Sequence, residues 1–163
     1  MKYLVVFLIS MVPVIELRGS IPFGLSPAMG GSLDLIPLYI TAIIGNMLPV
    51  PFIYFFGRRI LIWGSNYNWP KYLKWLGSFF KWLLNKGERS GKKITNKTGQ
   101  SVYVALMLFV GIPLPGTGAW TGTMAATILD LDFKKSSIFI MLGVVLAGII
   151  MGLASAGLFS LVF

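Results

Sequence analysis

The chain has 163 residues, 56% of them hydrophobic and 12% charged, with a formal net charge of +9 at pH 7. This composition, with a mean hydropathy of +0.80, excludes a water-soluble fold and describes one small integral membrane domain. Cysteine and histidine are both absent, which removes disulfides, thiol chemistry and the usual ligand sets of zinc, haem and iron–sulfur centres, so neither a cofactor nor a metal is expected.

A net positive charge also raises nucleic acid as a partner, but basic residues beside membrane segments serve orientation and contact with anionic lipid, and no nucleic acid is expected here. The apolar run Tyr3 to Val14 follows Lys2 without a small-residue cleavage site, so it reads as mature protein. It is followed by Ile15-Glu16-Leu17-Arg18-Gly19-Ser20-Ile21-Pro22 and a short apolar stretch ending at Gly30-Gly31-Ser32. Pro13 falls about ten residues into the run, and at about 1.5 Å per residue that is roughly 15 Å, half of a hydrocarbon core about 30 Å thick. The pattern predicts a hairpin that enters the bilayer, breaks near its midplane and returns. Leu35 to Phe56 is then long enough to span, and Gly57-Arg58-Arg59 is expected to end that helix.

From Ile60 to Gln100 the character changes. Trp63, Trp69, Trp75 and Trp82 alternate with Lys71, Lys74, Lys81 and Lys86. Pro70 suits a first helical turn, and Trp69, Leu73, Leu76, Phe80 and Leu83 recur at steps of three and four. This predicts an amphipathic helix in the membrane interface, an orientation anchor and linker, followed by a basic loop over Gly87 to Gln100.

Ser101 to Val110 is again apolar, and two prolines and four glycines within Gly111 to Gly122 interrupt it before Thr123 to Leu129 resumes a helical pattern. Asp130 to Lys135 predicts a turn, and Ser136 to Phe163 contains a second spanning helix. The predicted fold class is therefore all-α integral membrane. It consists of two inverted repeats, 1–59 and 101–163, each a re-entrant broken-helix hairpin plus one transmembrane helix, joined by the basic amphipathic linker 60–100. Twelve of the 14 basic residues, those from Arg58 to Lys97 with Lys134 and Lys135, fall on one face in this arrangement. The positive-inside rule makes that face cytoplasmic, in a prokaryotic cytoplasmic (inner) membrane, with both termini outside.

Glu16 and Arg18 are the ionisable side chains placed within the membrane core, at a cost of about 2.5–3.5 kcal/mol each on insertion scales, and are functional candidates by default. In an extended segment between Pro13 and Gly19 they share a side. Three roles stay open: Arg18 on an anionic headgroup, Glu16 on a cation or an exchangeable proton, or a structural ion pair. In the second break, Pro113 and Pro115 interrupt the helix. Gly116 and Gly118 permit close approach of backbone amides to a ligand, and Thr117, Thr121 and Thr123 supply hydroxyls. Trp120 either lines a pocket for an apolar tail or packs between the hairpins. Gly148, Gly152 and Gly157 give the last helix a small-residue face for packing within the chain or in a homodimer.

The run Glu16 to Pro22, together with Ile112 to Gly122, the Phe109-Val110-Gly111 lead-in and the basic segment between them, resembles the small multidrug export protein family over nearly the whole chain. More distantly, the duplicated hairpin plan looks like the DedA membrane proteins. Those carry further acidic and arginine positions in their second half, where this chain has Asp130 and Asp132. The resemblances imply a membrane transporter. Its expected cargo is an anionic amphiphile such as a phospholipid or polyprenyl phosphate. The alternatives are a proton-coupled exporter of lipophilic cations and a non-transporting scaffold. Membrane lipids are the expected partners. No nucleophile and base are paired in the sequence, so an enzyme is not expected.

Overall fold

The structure, a computed structural model, describes residues 1–27, 33–68, 70–82, 84–85, 100–114 and 116–162. Gly30 to Ser32, Trp69, Leu83, Lys86, Pro115 and nearly all of the expected loop after Gly87 lie outside the described residues. Among those described, all regular structure is helical: α1 (Lys2–Met11), α2 (Glu16–Leu25), α3 (Leu35–Met47), α4 (Pro49–Asn66), α5 (74–82), α6 (Ser101–Gly111), α7 (Ala119–Ile128) and α8 (Phe133–Val162). Twice, therefore, two short helices separated by a break precede a long one.

Among the described residues, two stretches are long and apolar enough to cross a membrane. Leu35–Asn66 runs 32 residues and its most apolar 18 have a mean hydropathy of 1.7, and Phe133–Ser155 runs 23 residues with 2.6 over its most apolar 18. The first is α3 and α4 read as one, since Leu48 between them keeps helical dihedrals (φ −61°, ψ −40°) and Pro49 sits at the start of the second piece, where a missing N–H costs little. Both long helices leave large apolar side chains uncovered, among them Ile36, Ile40, Phe52, Ile138 and Leu153. That is the surface a lipid-facing helix needs.

Three expectations are corrected at the helix ends. Gly57-Arg58-Arg59 does not terminate the spanning helix, which continues to Asn66. One glycine costs about 1 kcal/mol in a helix and arginine is a good helix former, so the charges mark the end of the apolar stretch and not of the helix. The helix stops where Tyr67 turns extended (ψ 138°), three residues before Pro70. Pro70 is itself extended (ψ 156°) and precedes a 3-10 turn at Lys71–Leu73, so regular α-helix starts at residue 74 and not at the proline. The turn after α7 is also shorter than expected. Asp132 caps α8 by accepting the Lys135 amide at 2.9 Å, which draws Phe133, Lys134 and Lys135 into the first helical turn.

Helix α6 runs beside the first half of α8. The Tyr103 and Phe139 rings lie 5.6 Å apart, Gly143 faces the Met107 carbonyl, and Gly111 meets Leu146, so α6 breaks roughly 20 Å along a helix about 45 Å long. Beyond that level Ile21 of α2 and Tyr39 of α3 take over. The Tyr39 hydroxyl donates to the Gly148 carbonyl at 3.1 Å, and its ring packs on Gly152, so these two glycines of the small-residue face pack inside the chain, while a Cβ on Gly157 would meet nothing within 4 Å. The second arm of each half rests on the long helix of the other, α2 on α8 and α7 on α4.

One contact recurs in the two halves. A Cβ on Gly45 would lie 2.6 Å from the Phe7 carbonyl and 3.2 Å from Ser10 Cβ, and one on Gly143 would lie 2.6 Å from the Met107 carbonyl and 2.8 Å from Val110 Cβ. In each half a glycine of the long helix lets the first arm cross backbone to backbone, as small residues do between membrane helices. At the charged end, Arg58 pairs with Asp130, the Tyr54 hydroxyl donates to the Leu131 carbonyl, and the Asp132 amide donates to the Tyr103 hydroxyl at 3.3 Å. The start of α6 and the end of α7 thus meet, with Lys135 5.9 Å above the Tyr103 ring.

Gly45→Ala and Gly143→Ala should each destabilise the protein by about 1–3 kcal/mol in detergent unfolding, because a backbone carbonyl must move. Gly57→Ala, whose Cβ would meet Thr127 at an ordinary 3.5 Å, should be neutral or mildly stabilising. Equal losses at all three glycines would contradict the crossing.

Candidate functional site

Two broken helices leave four kinds of loose end: N–H groups at the starts of α2 and α7 and carbonyls at the ends of α1 and α6. Away from water, each such group costs several kcal/mol if left unsatisfied. The first break is compact. Val14 and Glu16 adopt left-handed dihedrals (φ 75° and 50°), the Glu16 amide bonds the Val12 carbonyl at 3.0 Å, and α2 begins at Glu16 itself. A β-branched residue at positive φ is a strained conformation that surroundings must hold. The expected extended segment from Pro13 to Gly19 is therefore not present. The tight turn at 12–15 delivers Glu16 and Arg18 in the first turn of a helix, where they diverge instead of sharing a side.

Their destinations lie in the other half of the chain. Glu16, 4% exposed, turns its carboxylate onto the N-terminus of α7, where Oε1 accepts the Trp120 amide at 3.2 Å. Gly118, just before α7, has φ 142° and is packed against that carboxylate so closely that any side chain there would overlap it. Arg18 goes to the C-terminal end of α6. Its Nη1 donates to the Leu114 carbonyl, and its Nη2 to the Val110 and Ile112 carbonyls at 3.3 Å each and to Thr117 Oγ1 at 2.7 Å. Thr117 in turn lies 2.9 Å from the Ile112 and Leu114 carbonyls and accepts the Leu114 amide at 3.3 Å. The traffic also runs backwards: the Trp120 indole N–H donates to the Met11 carbonyl at the end of α1, at 3.2 Å.

The electrostatics are complementary. A helix N-terminus carries partial positive charge and receives the carboxylate, and a C-terminus carries partial negative charge and receives the guanidinium. Glu16 and Arg18 do not form an ion pair with each other; among the described residues the ion pair is Arg58 with Asp130. Charge-assisted hydrogen bonds contribute about 1.5–3 kcal/mol each, so these contacts stabilise two otherwise open helix breaks.

Of the residues named from sequence, Glu16, Arg18, Thr117, Gly118 and Trp120 come together. Gly116 (φ 81°) and half-buried Pro113 shape the loop around them, and Pro115 lies outside the described residues. Thr121 is exposed, with its hydroxyl turned back to the Gly118 carbonyl at 3.3 Å, and Thr123 is buried with its hydroxyl on the Ala119 carbonyl at 2.6 Å. Neither reaches the charged pair. Trp120 ties the two halves together through its backbone amide and its indole N–H. The receiving carbonyls of Met11, Val110, Ile112 and Leu114 carry no signal in side-chain chemistry. Asn46 does: it is an amide inside an apolar span, 2% exposed, with no partner for its Oδ1 among the described residues, and polar groups at such depth are functional candidates.

A protein-family model described as "Putative small multi-drug export protein" matches residues 16–150, from Glu16 through both breaks and into α8. No curated protein and no solved structure matches the chain.

Arg18→Lys should destabilise the protein nearly as much as Arg18→Gln, by about 2–3 kcal/mol, because a single ammonium cannot span the acceptors that the guanidinium fork reaches. Trp120→Phe should cost only about 1 kcal/mol, the worth of one neutral hydrogen bond. Chemical unfolding in detergent checks both, and full rescue by lysine would contradict the fork geometry.

Proposed function

Because the chain belongs to the small multi-drug export protein family, we propose that it is a membrane transporter in which two re-entrant hairpins of inverted orientation meet at the bilayer midplane and carry an anionic amphiphile past Arg18. The repeated glycine crossing, the α6 break halfway along α8 and the meeting of the two feet of the α6–α7 hairpin support the inverted, re-entrant plan. Inverted repeats with broken helices at a midplane site are a recurring transporter architecture. Arg58 and the Lys134-Lys135 pair lie at one end, which the positive-inside rule assigns to the cytoplasm of a prokaryotic inner membrane.

The observation that carries the cargo class is the placement of Glu16. A helix N-terminus is a ready anion site, and at α7 it is filled by the chain's own carboxylate beside a half-buried arginine. Glu16 there stands in for a phosphate or carboxylate head. When it leaves, the α7 amides and the Arg18 guanidinium converge on an incoming anion while the apolar tail stays among Val12, Val14, Ile15 and Leu114, all exposed around the break. A phospholipid or polyprenyl phosphate has this form. Glu16 then acts as the competitor that empties the site, and its protonation is a route to proton coupling. The second reading, export of lipophilic cations, is favoured by one observation: Glu16 is a buried carboxylate without an ion-pair partner among the described residues.

Thermal stabilisation of the purified protein by a polyprenyl phosphate, the matching neutral polyprenol and a lipophilic cation separates these readings, since ligands that bind the native state raise its apparent stability. The anionic reading predicts a response to the phosphate that is lost in Arg18→Gln and strengthened in Glu16→Gln. A response to the cation alone, lost in Glu16→Gln, would replace it with the second reading.

A further inference from the structure

Away from the two breaks, the end of the protein that carries Arg58 has two adjoining cavities. One cavity of about 220 Å³ lies between α4, α7 and α5 and is lined by Ile53, Gly57, Ile60, Phe80, Met124 and Thr127, among others. Its wall is almost wholly apolar. The Thr127 hydroxyl is committed to the Thr123 carbonyl at 2.8 Å and so does not make the cavity polar. Phe80 covers it from α5, which lies close on α4 because Gly64 leaves room for the ring, with the nearest atoms 2.8 Å from where a Cβ would stand. The mouth is on the lipid-facing surface, since Ile60 and Met124 are each more than half exposed.

An open groove of about 470 Å³ adjoins it on α4, lined by Arg59, Ile60, Ile62 and Trp63, so the two share Ile60. The charges differ along this edge. Arg58 is taken by Asp130, whereas Arg59 is exposed and makes no ion pair among the described residues. No carboxylate lines either cavity. We infer that these cavities form a binding site for one anionic membrane lipid, with its phosphate on Arg59 and part of one hydrocarbon chain in the apolar cavity under Phe80.

Size and chemistry agree. An apolar cavity of about 150 Å³ is dry and takes a benzene-sized guest, so one half as large again accepts a chain segment. Arginine is the side chain suited to phosphate, by its planar fork and weak hydration. A lipophilic cation would find the same apolar wall but an arginine where it needs an acid. The site lies nearer the charged end than the contacts of Glu16 and Arg18 and shares no residue with them, so it stands or falls independently of the cargo assigned to the midplane.

The test is thermal unfolding of the full chain in detergent with phosphatidylglycerol, phosphatidylcholine of the same acyl chains, or inorganic phosphate. The variants are Arg59→Gln, Gly57→Leu and Met124→Trp, with Lys71→Gln as a control that loses one exposed charge elsewhere. Gly57→Leu fills the cavity from α4 and Met124→Trp from α7, so a folding defect in one leaves the other. Phosphatidylglycerol should raise the melting temperature, phosphatidylcholine distinctly less and inorganic phosphate not at all. Either cavity-filling variant should lose most of the lipid effect, Arg59→Gln should erase the preference for phosphatidylglycerol, and Lys71→Gln should keep both. Equal stabilisation by the two lipids, or a preference for phosphatidylglycerol that survives in Arg59→Gln and in both filled variants, would overturn the site and assign the effect to the basic face as a whole.

Discussion

The constraint on which the structure depends is that a broken helix whose ends are shielded from water must have its loose backbone groups satisfied from elsewhere. Here they are satisfied across the halves. Arg18 from the first hairpin closes the end of α6, Glu16 closes the start of α7, and Trp120 returns a hydrogen bond to the end of α1. Neither hairpin is complete without the other. The pairing also fixes which side chain goes where, because the helix dipoles make the opposite assignment, carboxylate to α6 and guanidinium to α7, unfavourable.

The rest of the molecule brings those two breaks to one level. Glycines at 45 and 143 let the first arms lie against the long helices, and Tyr39, Tyr54 and Tyr103 tie loops and helix backbones together with their hydroxyls. The second arms exchange partners, α2 resting on α8 and α7 on α4, so each break is flanked by spanning helices of both halves. A fully engaged clasp of this kind is the element on which the proposed transport cycle would act. Glu16 and Arg18 hold backbone groups that a ligand of like chemistry can take over, which links the stability of the closed form to the proposed transport cycle.

Much of this architecture is legible in the sequence because proline and glycine punctuate the helices so clearly. The existence of the two arms, of the interruption after Ser101 to Val110 and of the two long helices follows from composition and length alone, but the breaks are shorter than Pro13 and the run Gly111 to Gly122 suggest, since α1 ends at Met11 and α7 resumes at Ala119 instead of Thr123. What is not legible is where polar side chains end. The alternation of Glu16 and Arg18 reads as an extended pair, yet two left-handed residues, Val14 and Glu16, begin the helix early and send the two groups to different partners. Their acceptors and donors are backbone atoms, which leave no mark on residue identity. The helix past Arg58-Arg59 was hidden for the opposite reason: a conspicuous charge pair marks the edge of the apolar stretch while the backbone continues undisturbed to Asn66. Gly64 owes its importance to Phe80, which packs on it, and that follows only from the fold.

The most direct test of the account uses the absence of cysteine from the natural sequence. Single cysteines at Gln100, Lys71 and Lys134, with Asp34 as the opposite reference, are labelled in sealed vesicles by a membrane-impermeant maleimide. Residue 100 precedes α6 and residue 134 follows α7, and their neighbours Tyr103 and Asp132 are hydrogen-bonded. The account predicts that residues 100, 71 and 134 react from one and the same side and residue 34 from the other. Reaction of residues 100 and 134 from opposite sides would mean that the broken segment spans the membrane, and the meeting of two re-entrant hairpins at the midplane would be wrong.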